Sequence, residues 1–124
     1  MTLKTGFIVA AAIAAADEAI KYSIREPLVK NKGFALNKFD DHQRSVAAAS
    51  LIMTLVSAGS MAAASDRNRT GLALILGGAL SNTYDRIVRK FVVDYIPIGH
   101  VAFNLSDFAI IAGSLITAAD AMRE

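Results

Sequence analysis

The chain contains no cysteine, so neither a disulfide framework nor a thiolate metal site is open to it. Histidine is almost as scarce. His42 and His100 stand far apart, without the spacing of a helical ligand pair, and read as surface or interfacial residues; no metal is expected. Nucleic-acid motifs are also missing, and the 13 basic residues behind a pI near 9.1 are interleaved with 11 acidic ones, which excludes a dedicated nucleic-acid surface. Polar surface is in short supply as well. Hydrophobic residues make up 54% of the chain and the mean hydropathy is +0.42, above the roughly 45 to 50% apolar content of ordinary soluble domains. One membrane-embedded domain over residues 1–124 is the expectation.

Four apolar runs are present, near 5–22, 45–64, 70–88 and 102–120. Only the second, VAAASLIMTLVSAGSMAAA (46–64), is free of charge over the roughly 20 residues that a bilayer asks of a helix. It also has no polar stripe, which a soluble surface helix would show. The opening MTLKTGFIVAAAIAAADEA has the form of a signal peptide too, but the three apolar runs behind it favour the first span of a multispanning protein. Small residues at four-residue spacing, Ser50, Thr54, Ala58 and Ala62 in the second run and Ala73, Gly77 and Ser81 in the third, predict close helix packing in lipid.

Polar residues sit at particular ends of these runs. If the chain crosses four times, Asp17, Lys21, Asn31, Asn82, Asp85, Arg86, Asp94, Asn104 and Asp107 gather at one face by parity alone, and the short SDRNR turn (65–69) lies at the other. Ionisable residues at such depth mark function and are usually paired. Asn82 and Asp85 share a helix face. Asp85 reads equally as structural support and as a substrate contact, and with Arg86 it also fits a plain helix end.

Two carboxylates close together in a poorly solvated place cannot both ionise, so one holds a proton and the other does not. Asp94 and Asp107 thereby offer a general base for an attacking water and a general acid for the leaving group, with no cofactor. Asn104 lies one turn before Asp107, so Asn104 or Asp107 equally fits the N-cap of the fourth run. A holin-like pore, which is not an enzyme, would also have short Ala-rich spans and a polar face. It has no evident need for Asn and Asp at three-residue spacing on two spans.

GGALSNTYDR (77–86), FVVDY (91–95) and AFNLSDFAI (102–110) resemble the conserved blocks of lipoprotein signal peptidase, or signal peptidase II. DEAIK (17–21) and NKGFAL (31–36) are similar to its first-half motifs, and the blocks occur in family order along most of the chain. The resemblance implies a mainly α, four-helix membrane fold with a small extracytoplasmic β-containing platform from the connector near 25–44. It implies a monomeric aspartyl endopeptidase of the bacterial cytoplasmic membrane, its site toward the extracytoplasmic side. The implied partners are membrane lipids and a prolipoprotein, cut before its diacylglyceryl-modified cysteine. Matched by motif, Asp94 and Asp107 are the catalytic pair. Asn82, Asp85, Arg86 and Asn104 shape the site, and Asp17, Lys21, Asn31 and Gly33 support it. An inactive lipoprotein-binding relative is the remaining alternative.

Orientation is contested within the sequence. Nine Lys and Arg residues fall on the polar face and four on the other, so the positive-inside rule alone puts the aspartates in the cytoplasm. The resemblance implies the reverse, with basic groups near the site meeting lipid phosphates. Departures from the family pattern are Ser81 for a glycine, Leu36 and Asn37 for Phe-Ser, Phe108 for a small residue, and a short connector, YIPIGHVAF (95–103), without tryptophan. Lid behaviour and substrate preference are expected to differ there.

Overall fold

The computed structural model describes residues 1–24, 29–31 and 42–124, with only the backbone of 29–31. The described residues form helices α1 (Leu3–Ser23), α2 (Gln43–Ala63), α3 (Arg69–Tyr84) and α4 (Leu105–Met122), and strands β1 (Val29–Asn31), β2 (Val92–Asp94), β3 (Ile96–Ile98) and β4 (Val101–Phe103). The architecture is mainly α with small antiparallel pairings, as expected.

Each boundary has a local cause. Thr2 caps α1, its hydroxyl accepting from the Thr5 N–H at 3.2 Å. The SDRNR turn becomes a short 3₁₀ stretch, Asp66–Asn68, before α3 begins. Arg69 ties that end together: its guanidinium donates to the carbonyls of Met1 (2.9 Å), Met61 (3.0 Å) and Ala64, and pairs with Asp66. Helix α3 does not stop at Tyr84 but widens into a π turn, Asp85–Arg89, which Lys90 closes in a left-handed conformation (φ 71°).

Helix α3 packs against the other three. Gly77 meets Ala10 and Ile13 of α1, and Gly78 lies so close to α4 that an added Cβ would stand 2.4 Å from the Ser106 carbonyl. So close an approach of two backbones is what small residues permit in membrane bundles. Ala73 and Ser81 are buried as the spacing predicts, but on α2 the packed line runs through Val46, Thr54, Ser57 and Met61, leaving Ala62 exposed. Thr54 explains the turn of that line, because its hydroxyl meets Thr83 of α3 at 2.8 Å.

Large apolar side chains point outward, Leu55 and Leu115 being 63% and 68% exposed. So broad an apolar exterior fits lipid rather than water. Two helices, α2 and α4, are long and apolar enough to cross a membrane by composition. The other two proposed spans, 5–22 and 70–88, fall short of that test. Helix α3 has only 16 residues, and α1 carries Asp17, Glu18 and Lys21, which turn inward.

The β platform draws on both connectors. From the connector near 25–44 only Val29–Asn31 is a described strand, and it pairs with β2 from the other connector, Val29 opposite Asp94 and Asn31 opposite Val92. The short segment 95–103 is no linker: β3 and β4 pair antiparallel, Ile96 opposite Phe103. Gly99 (φ 63°) makes the turn, where only glycine adopts that conformation freely.

Candidate active site

Asp94 ends β2, between Val93 and the hairpin, and is 3% exposed. Asp107 stands in the first turn of α4. Both line one cavity of about 210 Å³, walled otherwise by Asn82, Arg86 and apolar residues that include Val101, Ile110 and Ile111. Two carboxylates 13 positions apart thus line one cavity because a hairpin folds the intervening chain back on itself.

Asn104 performs both roles the sequence left open. It is the N-cap of α4, accepting the Asp107 N–H at 2.9 Å while Asp107 Oδ2 accepts the Asn104 N–H at 2.9 Å, a reciprocal capping box. The same side chain turns its amide toward Asp94 Oδ1 (3.1 Å), the Val93 carbonyl (3.2 Å) and Asn82 Oδ1 (3.0 Å). Asn82 in turn donates to Asp107 Oδ1 at 3.2 Å. The two asparagines therefore bridge the two aspartates, and their donors aim a carboxylate oxygen of each into place. Arg86 lines the cavity and feels the charges of Asp94, Asp107 and Asp85.

Behind this wall lies a buried ionic cluster. Lys21 Nζ sits 2.9 Å from both Asp17 and Asp85 and 3.3 Å from Glu18. It also donates to Ser81 (3.1 Å) and Asn82 (3.3 Å). Asp85 is occupied on both oxygens, by Arg89 (3.1 Å) on one and by Lys21 and the Val93 N–H (3.0 Å) on the other. These contacts tie the π turn to β2, the strand that ends at Asp94. Asn82 and Asp85 do share a face, the one toward Lys21, and Asn82 carries the contact on to Asp107.

Several participants escaped the sequence reading. Tyr95 donates its hydroxyl to Asp17 Oδ1 at 2.6 Å and accepts the Leu105 N–H at 3.0 Å, so the residue after one aspartate anchors the helix that carries the other. Burial, and then the hydrogen bond to Asp17, push its phenol well above the usual range. Ser106 also bonds Asp17. Ser81, expected only to allow packing, places its hydroxyl within 2.9 Å of Asp17 and 2.6 Å of Glu18. Glu18 and Arg89 complete the cluster at 3.4 Å from each other. Phe108 packs on Phe103 of the hairpin, with centroids 5.9 Å apart, so the large residue covers the flank of the shortened connector.

Both histidines are exposed. Asn31 is in β1 by its backbone, while its side chain and Gly33 lie outside the described residues. A pore offers no account of amides spent on orienting a buried and a half-buried carboxylate.

The family model described as signal peptidase (SPase) II matches residues 5–123. The lipoprotein signal peptidase of Cellvibrio japonicus is 39% identical over 80 residues, 60% of this chain and 47% of that protein. That of Caldicellulosiruptor bescii is 36% identical over 90 residues, 71% and 60% of the respective chains. This chain thus spans about half the length of these curated relatives. A solved bacterial membrane enzyme shares the fold, with a TM-score of 0.83 at 18% identity over 97% of this chain and 88% of the other. Matched along nearly its whole length by the family model, the chain belongs to the signal peptidase II family.

Proposed function

We propose that this chain is an aspartyl endopeptidase that removes the signal peptide of diacylglyceryl-modified prolipoproteins, cutting before the lipidated cysteine. The observation that carries the reading is the shared cavity into which Asp94 and Asp107 open, each held by an asparagine amide. A pair of this kind shares one proton and titrates as a unit. The ionised member takes a proton from a water placed between them, and that water attacks the scissile carbonyl. The protonated member gives its proton to the carbonyl oxygen, the proton taken from water passes to the nitrogen as the C–N bond breaks, and collapse of the diol returns a proton to the pair. No step calls on a metal or a cofactor.

The walls suit the substrate. Ile110 and Ile111 line the cavity, and Ile111 is half-exposed on the outside of α4. Acyl chains of a lipidated cysteine would lie along that side, in the bilayer, while the peptide bond reaches the carboxylates. Both carboxylates come from one copy, so a monomer is sufficient. The chain would cross the bacterial cytoplasmic membrane four times, with the site toward the extracytoplasmic surface, where lipidated precursors present their cleavage site.

The test is direct. Purified protein in detergent is mixed with a diacylglyceryl-modified prolipoprotein, and with the same precursor lacking the lipid. A gel shift confined to the lipidated precursor is expected. Cleavage of neither, by protein that remains folded, would overturn the proposal.

A further inference from the structure

A second cavity, of about 370 Å³, opens between the start of α2 and the π turn. It is lined by Gln43, Arg44, Ala47, Arg86, Ile87 and Lys90. Three of these six residues are cations, none is an acid, and the apolar pair Ala47 and Ile87 lies beside them. Among the described residues neither Arg44 nor Lys90 makes an ion pair. The α2 N-terminus at its edge lacks a side-chain cap from His42, so N–H groups there add to the positive field.

The backbone supplies an independent sign of use. Lys90 is in the left-handed region at the C-terminus of the π turn, a position where glycine is ordinarily favoured and where any side chain costs stability. Lys90 nonetheless stands there, and its side chain lines this cavity.

We infer that the cavity binds the phosphate headgroup of an anionic phospholipid, with Arg44, Lys90 and Arg86 around the phosphate and an acyl chain running down past Ile87 and Ala47. Basic pockets between membrane helices recognise such headgroups through the same electrostatics. Ile87 is 44% exposed on the apolar exterior, the direction an acyl chain needs. A soluble phosphate would have no use for that flank. The inference rests on membrane embedding and not on peptide cleavage.

Native mass spectrometry of the purified protein from micelles holding equal amounts of phosphatidylglycerol and phosphatidylcholine tests it. Wild-type protein should retain phosphatidylglycerol preferentially. Arg44→Gln and Lys90→Gly should each reduce that retention by about fivefold and leave phosphatidylcholine unchanged. Lys90→Gly should melt no lower than wild type, since glycine relieves the left-handed backbone, so a loss of lipid there is not a loss of fold. Equal retention of the two lipids, or variants that hold phosphatidylglycerol like wild type, would overturn the inference. Displacement of the lipid by millimolar inorganic phosphate would overturn the lipid assignment in favour of a soluble phosphate.

Discussion

Asn104 shows how much one side chain carries here. Its oxygen caps α4 and its amide faces Asp94, so helix position and carboxylate orientation are set together. Tyr95 works in the same way from the other side, between Asp17 and the Leu105 N–H. Its raised phenol pKa has a consequence of definite sign. The unfolded chain ionises Tyr95 near the ordinary value of about 10, while the folded chain keeps the proton longer. Its contribution to stability is therefore complete below about pH 10 and is lost as pH rises beyond it. Melting temperature measured against pH should fall more steeply above pH 10 in wild type than in Tyr95→Phe; parallel curves would contradict this. The Asn and Asp spacing was legible before any coordinates, because both members lie within one helical turn. Tyr95 was not, because its partner Asp17 is 78 residues away and a tyrosine in an apolar run has no periodic signature.

At the scale of elements, α3 decides the assembly, and its glycines decide α3. Gly78→Ala drives a Cβ to 2.4 Å from the Ser106 backbone carbonyl, so α3 and α4 must separate beside Asp107. A loss of about 1–3 kcal/mol is expected. Gly59→Ala, with nothing within 4 Å in mid-helix, should gain roughly 0.5–1 kcal/mol. Thermal unfolding in detergent checks the opposite signs. The helices were readable from apolar runs, and the SDRNR turn from its composition. The strands were not: β1 and β2 have three residues each and pair across some 60 positions, too little sequence for alternation to register. The hairpin at 95–103 was hidden for the same reason. IPI and VAF have three residues each, too few for alternation to register, although Gly99 between them fits a turn. The π turn left no pattern at all, since one extra residue in a helix end changes no composition.

For the whole molecule, the polar residues divide between two ends of an apolar bundle. Asp17, Lys21, Asp85, Asp94 and Asp107 gather at one end, and Met1, Asp66 and Arg69 at the other. Four crossings gather these residues by parity alone, without ranking them. The sequence offered Asp85 as support or substrate contact, and the structure surrounds it with Lys21, Arg89 and the Val93 N–H. Which end faces outward is set by the proposed orientation, against the Lys and Arg count. Since the chain has no cysteine, single introduced thiols report it cleanly. In intact cells His100→Cys should react with a membrane-impermeant maleimide and Arg67→Cys should not; the reverse pattern would turn the protein over. The central claim, that Asp94 and Asp107 perform the chemistry, is tested most directly by cleavage of a diacylglyceryl-modified prolipoprotein by Asp94→Asn and Asp107→Asn. Each variant is predicted to remain folded in detergent and to leave the precursor uncut, whereas wild-type cleavage by either one would contradict the account.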